Sequence, residues 1–284
     1  MLFIINPISG RSKKRAIAQR LLDLGHKVLF TEYAGHAEQL AKEATEKVVV
    51  AVGGDGTVNE VARGILGTDK ILGIIPCGSG DGLARHLGLS HNIDKAIKTI
   101  EHCHHRAMDV AEINGRAFLS ICGVGFDAVV SEQFAKSGKR GLANYIRQGL
   151  KCWINYTPEE YSIEIDGTKI EHKALFITVG NSDQWGNNAK ITPLADCFDG
   201  ILDVTVVEEF GILEMPWLAL RLMTGTLQRS RKVHCYKCKS LRIVRQNRGP
   251  AHADGDWFID EEVLDIKIHP SSLNVIIADR KSVV

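Results

Sequence analysis

The sequence predicts an α/β protein in two parts: a layered α/β domain over residues 1–108, then an antiparallel, sandwich-like β domain over 109–272. Three observations predict it. Apolar strand-like runs alternate with helical patterns through the first hundred residues; beyond Met108 shorter alternating runs are joined by turn dipeptides; and 284 residues suffice for two ordinary domains. Hydrophobic residues at 44% and charged residues at 24% match globular averages, which excludes disorder or a coiled coil for the whole chain. Lys plus Arg number 35 against 34 Asp plus Glu, so a net charge of +1 gives no electrostatic case for a nucleic-acid partner.

In the first domain, strands are expected at 2–5, 28–30, 48–52 and 71–75. These runs are apolar throughout, as parallel strands covered on both faces require. The covering helices are expected at 11–24, 36–44 and 58–66. In the second domain, Asn114-Gly115 and Asp166-Gly167 mark hairpin turns, with strands at 161–165, 174–179, 201–207, 240–245 and 263–268. Two helical stretches interrupt them: 127–156, broken near Gly138 and Gly141, and 212–227. The run 273–278 is open to either domain.

The apolar start at Met1-Leu2-Phe3-Ile4-Ile5 is too short for a signal-peptide core and lacks a basic leader, so no export is expected. The stretch 212–227 is interrupted by Glu214, Pro216 and Arg221, so no transmembrane segment is expected either. Seven cysteines, an odd number, read as reduced thiols of a cytoplasmic protein. Cys235 and Cys238 with the cluster His102-Cys103-His104-His105 raise the question of zinc, but no second cysteine pair closes a site and 233–238 can alternate as a strand.

The strongest chemical signal is the strand 48–52 running into Gly53-Gly54-Asp55-Gly56-Thr57 and then a helix. Glycines let the backbone approach an anion, and the amides and dipole at a helix start favour negative charge. A carboxylate in such a loop is repelled by phosphate unless a metal intervenes or it takes a proton from an attacking hydroxyl, so Asp55 points to phosphoryl transfer. A loop of the same design, Gly78-Ser79-Gly80-Asp81-Gly82, follows the next strand with Arg85 nearby, and Asn6-Pro7-Ile8-Ser9-Gly10 leaves the first. In a parallel sheet all three lie at the carboxyl edge, where ligands bind. Neither a Walker loop nor a dinucleotide fingerprint is present.

In order and spacing these motifs resemble the diacylglycerol kinase catalytic family, which includes bacterial lipid kinases, sphingosine kinases and ceramide kinases. The match is dense in the first domain and sparse in the second. It implies an ATP site formed by Asn6, Pro7, Ser9, Gly10, Thr31, Gly53, Gly54, Asp55, Gly56, Thr57, Asn59, Glu60, Gly78, Ser79 and Gly80. Asp81 departs from the family's usual Asn. Asp196-Cys197-Phe198-Asp199-Gly200-Ile201 resembles the segment that holds a structural Mg2+, with Asp199 as side-chain ligand beside the backbone of Asp196 and Ile201. Asp254-Gly255-Asp256 resembles the family's Asp-Gly-Glu; Asp256 then stands for the proton-accepting Glu, with Asp55 positioning phosphate and Mg2+ as the second catalytic acid.

The resemblance implies an ATP-dependent lipid kinase whose active site is the cleft between the domains. Diacylglycerol leads as acceptor, followed by a sphingoid base. An enzyme of this kind meets its substrate at a bilayer, and the apolar and basic stretch 212–232 suits transient peripheral contact with a membrane surface. A homodimer is left open. The alternatives are an NAD kinase-like enzyme, whose Asn-rich second motif is absent, and a noncatalytic lipid or nucleotide sensor, suggested by Asp at positions 81 and 256.

Overall fold

A computed structural model of the chain describes residues 1–7, 11–138 and 141–278. It divides into two units, one of residues 1–108 with the chain from 271 onward, the other of residues 109–270.

The first unit contains β1 (Leu2–Ile5), α1 (Arg11–Asp23), β2 (Lys27–Phe30), α2 (His36–Glu43), β3 (Val48–Gly53), α3 (Asp55–Ile65), β4 (Ile71–Pro76), α4 (Gly82–His86) and α5 (Ile93–His102). Its strands run parallel in the order β2, β1, β3, β4, with Leu2 beside both Lys27 and Val49, and Val48 beside Ile71. Phe3, Ile5, Val50, Val52 and Ile75 are buried against Ile17, Leu21, Ile97 and Ile100 of the flanking helices. The segment 273–276 belongs here too: Asn274 and Val275 pair in parallel with Ile71 and Leu72.

Helix α3 starts three residues earlier than the apolar period indicates. The amides of Thr57 and Val58 both donate to Gly54 O, so the glycine loop itself winds the first turn and Asp55 becomes a helical residue. Periodicity registers only the later apolar positions Val58, Val61, Ala62 and Ile65.

The chain continues through β5 (His105–Ile113), β6 (Arg116–Phe118), β7 (Ile121–Gly125), α6 (Phe126–Lys136), α7 (Leu142–Trp153), β8 (Glu159–Ile165), β9 (Thr168–Ala174), β10 (Phe176–Gly180), β11 (Leu202–Val207), α8 (Met215–Thr224), β12 (Val233–Cys238), β13 (Ser240–Arg245), β14 (Gly249–Ala253), β15 (Asp256–Asp260) and β16 (Val263–Ile276). In the second unit, one sheet runs β12, β11, β10, β7, β14, β15. The other sets β13 antiparallel to both β8 and the first half of β16, with β9 outermost beside β8. Ile177, Val179 and Val204 of the one and Ile163, Ile243 and Leu264 of the other share a core, the sandwich the alternation predicts.

Three second-unit expectations need correction. The run 174–179 is not one strand: the chain changes sheets at Leu175, whose amide donates to Val207 O. The runs 263–268 and 273–278 belong largely to one strand, β16, which ends at Ile276 and is distorted at Ser271, where φ is +54°. The stretch 212–227 narrows to α8, which carries Pro216 in its first turn and is stopped by Gly225 in the left-handed region. The stretch 127–156 does divide, with Gly138 and Gly141 at positive φ. Cys235 and Cys238 fall three apart on β12, one exposed and one buried, hence on opposite strand faces.

Candidate active-site residues

The two glycine loops of the first unit leave adjacent strands, held in step by Gly53 opposite Pro76 and by the Cys77 amide donating to Gly53 O at 2.8 Å. They touch through bare backbone. A Cβ on Gly78 would lie 2.6 Å from the Gly54 Cα, and one on Gly54 would lie 3.1 Å from the Gly78 Cα, so a side chain at Gly78 would force the loops apart. Asp55 braces this approach: its Oδ2 accepts from the Asp81 amide at 2.8 Å and its Oδ1 from the Gly82 amide at 2.7 Å.

Asp81 holds the second loop in turn. It sits at φ +49°, and its two carboxylate oxygens accept from the Gly78 amide at 3.0 and 3.1 Å. His91 Nε2 is 3.2 Å from its Oδ2, and Arg85 Nε donates to Gly80 O at 2.9 Å. Burial raises the pKa of both acids, and the charge of Asp55 raises Asp81 further.

The remaining nucleotide residues divide. Ser79 is exposed in the second loop and Gly56 is exposed in the first turn of α3, while Thr57 is buried with its hydroxyl against Gly53. Asn59 is buried, and its Nδ2 has no hydrogen-bond partner. Glu60 faces another way: its Oε2 accepts from the Ala37 amide in the first turn of α2. Thr31 is buried at the end of β2, its amide on Ile5 O. Asn6 lies at the end of β1 with its carbonyl accepting from Lys14 Nζ at 2.6 Å, and Pro7 follows it half-buried. Ser9 and Gly10 lie outside the described residues.

In the second unit, Asp254 and Gly255 form a hairpin tip at φ +51° and +83°, and Asp256 begins β15, exposed. The tip is bolted down by Asp254, whose carboxylate accepts from the amides of Leu119 (2.7 Å), Ser120 (2.8 Å) and Ile121 (3.0 Å). Beneath it lies Asp127, which the sequence reading passed over. Its buried Oδ2 accepts from the Thr178 hydroxyl at 2.9 Å and lies 3.1 Å from His252 Nε2, on the strand that leads into the tip. A Cβ on Gly123 would come within 2.2 Å of that oxygen. The signal was available: Gly123-Val124-Gly125-Phe126-Asp127 repeats the strand, glycine, acid design of the Gly53 loop.

The segment expected to hold Mg2+ is a pair of tight turns. Asp196 Oδ1 accepts from the Phe198 amide at 3.1 Å, Asp199 Oδ1 from the Ile201 amide at 3.0 Å, and Asp196 O from the Asp199 amide. Lys237 Nζ stands 3.9 Å from Asp199 Oδ2 and 3.0 Å from Asp203 Oδ2. The donors are hard oxygens, as Mg2+ requires, but an ammonium already serves this acidic group, so Mg2+ fits only if Lys237 moves away. The glycine loops, by contrast, suit the phosphates of ATP: they bring the start of α3 beside the exposed Ser79 with no side chain between the two loops at Gly54 or Gly78.

Comparison with known proteins matches these two arrangements. Residues 1–113 fit the diacylglycerol kinase catalytic domain, and residues 120–277 the YegS C-terminal NAD kinase beta sandwich-like domain. The chain is 27% identical over 268 residues to a diacylglycerol kinase of Bacillus subtilis, covering 89% of this chain and 88% of that one. It is 31% identical over 222 residues to a "probable lipid kinase YegS-like" protein of Chromohalobacter salexigens, covering 72% and 71%. The fold aligns with a solved structure of a diacylglycerol kinase from Bacillus anthracis at a TM-score of 0.76 and 23% identity, over 98% of this chain and 96% of that one. Glycine cradle, sandwich and full-length similarity agree: the chain belongs to the diacylglycerol kinase family and is an ATP-dependent lipid kinase that phosphorylates an alcohol group.

Proposed function

We propose that the protein transfers the γ-phosphoryl group of ATP to the hydroxyl of diacylglycerol at a membrane surface, with a sphingoid base as the second acceptor to test. The observation that carries the nucleotide half is the apposition of Gly54 and Gly78 braced by Asp55. Backbone at such a junction reaches phosphate oxygens without side-chain obstruction, Ser79 adds a hydroxyl from the same loop, and the first turn of α3 adds its positive dipole end. Mg2+ bound with ATP supplies further neutralisation of phosphate charge. The similarity to the Bacillus subtilis diacylglycerol kinase supports the choice of acceptor.

Asp256 acts as the base. Its carboxylate takes the proton of the acceptor hydroxyl as that oxygen bonds to the γ-phosphorus, and the bond to the bridging oxygen breaks to release ADP. The exposed hairpin position suits a group that must reach a substrate proton, and the Asp254 anchor holds the turn to within a hydrogen bond's tolerance. Asp55, with both oxygens engaged by amides, is a positioning residue.

No helix among the described residues is long and apolar enough to cross a membrane, and in this proposal the bilayer substrate is met peripherally. The second unit offers a surface for this. Leu213 is 91% and Ile154 81% exposed, and Ile212, Trp217, Leu220 and Met223 are exposed beside them in sequence. The Trp153 and Phe210 rings, 4.6 Å apart, join the end of α7 to the segment before α8. Only Leu218 of α8 is buried, so this helix is not spent on the core. Arg221 stacks over Trp217, and exposed Arg231 with Lys232 flanks the ridge, a combination that favours anionic headgroups.

Radiolabelled ATP offered with diacylglycerol, sphingoid bases, ceramides and NAD in mixed vesicles tests the acceptor. Label in phosphatidic acid supports the proposal; label confined to a sphingoid base or NAD overturns it.

A further inference from the structure

At the edge of the second unit, His172, Glu208 and His234 each bring one donor atom within 4.8 Å of the other two. Strands β9 and β12 are the outermost strands of opposite sheets. His172 alternates with the exposed Glu171 and Lys173 on β9, and His234 shares a face of β12 with Tyr236, which packs against the sandwich core. The two imidazoles therefore meet across the gap between the sheets, ring centroids 4.8 Å apart.

We infer that this trio is a binding site for a divalent transition-metal ion of the zinc class, clipping together the outer strands of the two sheets. Two imidazoles and a carboxylate form a borderline nitrogen and oxygen donor set, which favours Zn2+, Co2+ or Ni2+ over the hard cation Mg2+. A tetrahedral zinc site sets its donors about 3.4 Å apart. His234 Nε2 and Glu208 Oε1 are now 2.7 Å apart and the most distant pair is within 4.8 Å, so small rotations of three half-buried side chains bring all of them onto one ion.

The scaffold for those side chains is set. Val206 pairs with His234, and the Glu208 amide donates to Lys232 O, fixing Glu208 at the end of β11 beside β12. Tyr236 places its hydroxyl 2.7 Å from His172 Nε2, orienting that ring. Three protein ligands leave a fourth position for water. The site stands at the opposite end of its sheet from β14 and β15, which carry the proposed base, so its role is structural rather than catalytic.

The test uses the full chain stripped with a chelator and titrated with Zn2+ in competition with a chromophoric chelator, and with Co2+ followed by its visible absorption. Wild type is expected to take up one more equivalent, at micromolar concentration or tighter, than His172→Ala, His234→Ala or the isosteric Glu208→Gln. His102→Ala, which removes an exposed imidazole elsewhere, should match wild type. Zn2+ should raise the wild-type Tm by about 5 °C and leave the three site variants unmoved, with lipid kinase turnover unchanged in all. Equal zinc stoichiometry in wild type and Glu208→Gln, wild-type binding only at millimolar Zn2+, or a Tm indifferent to Zn2+ would overturn the inference.

Discussion

Asp254 and Asp256 stand two residues apart on one hairpin, and the proposed reaction gives them opposite kinds of work. Asp254→Ala removes an acceptor shared by three backbone amides at 2.7, 2.8 and 3.0 Å. Bonds to a charged acceptor contribute about 1.5–3 kcal/mol each and are not additive when they share one carboxylate, so the loss is roughly 3–5 kcal/mol. Alanine at φ +51° adds about 1–2 kcal/mol of strain. For a unit of this size that lowers Tm by roughly 10 °C or more. Asp254→Asn tolerates the left-handed backbone and still offers one oxygen to Ser120 and Ile121, but turns an NH2 toward the Leu119 amide; its cost falls to about 1–3 kcal/mol. Asp256→Asn, at an exposed site, should change stability by no more than about 0.5 kcal/mol while lowering turnover by about 10²–10⁴. Calorimetric melting and steady-state kinetics of the three variants separate the roles. If Asp254→Ala melted with wild type, or Asp256→Asn turned over at the wild-type rate, the division of labour would be refuted.

Asp55→Asn should act mainly through ATP, raising its KM at least tenfold with a smaller fall in kcat, because one amide of the second loop loses its acceptor; a pure kcat effect would instead return Asp55 to the chemistry. Asp81→Asn should raise Tm at pH 7 and lower the KM for ATP, since the buried charge beside Asp55 disappears while an acceptor for the Gly78 amide remains. The raised pKa of Asp81 means that its ionisation costs stability above the unfolded value near 4, so the gain in Tm should vanish as pH falls to about 4; a gain independent of pH would contradict this origin. Gly78→Ala should drive the loops apart at a cost of about 1–3 kcal/mol, whereas Gly56→Ala, facing open space in a helix, should raise Tm yet weaken ATP binding; equal ATP affinity in both and in wild type would remove the cradle from the phosphates. Leu213→Asp should leave melting unchanged and reduce cosedimentation with anionic vesicles, and unaltered sedimentation would move membrane contact elsewhere.

Strands β1, β3 and β4 were legible because burial on both faces writes itself as an apolar run, whereas β2, at the sheet edge, is half-exposed despite its apolar residues; the glycine loops were legible because their chemistry belongs to the backbone, which motif spacing records directly. What escaped was set by tertiary contact. Nothing local in Ala174-Leu175-Phe176 announces a change of sheet, since all three are buried on either side of the crossing. His269-Pro270-Ser271-Ser272 reads as a break, yet β16 carries through it, with the distortion confined to the positive φ of Ser271. Glu60 falls within a nucleotide-loop motif, but in space its carboxylate turns to the first turn of α2, a partner 23 residues back in the chain. For Asp127 the strand, glycine, acid pattern is local, but its partners, Thr178 and His252, lie 51 and 125 residues away and only the fold shows them.

Asp55 and Asp127 share a construction that decides which acid is left for catalysis. Each follows a strand and glycines, each sits in the first turn of a helix, and each spends its oxygens holding other segments: Asp55 the amides of Asp81 and Gly82, Asp127 the Thr178 hydroxyl, the Ala128 amide and His252. A carboxylate committed to such bonds is a poor proton acceptor in a transition state, because taking the proton means giving up a donor already in place. Asp254 is excluded by the same reasoning, with three amides on two oxygens. Asp256, exposed on a turn that Asp254 immobilises, is the acid of this hairpin open to an incoming substrate, which is why the base is proposed there.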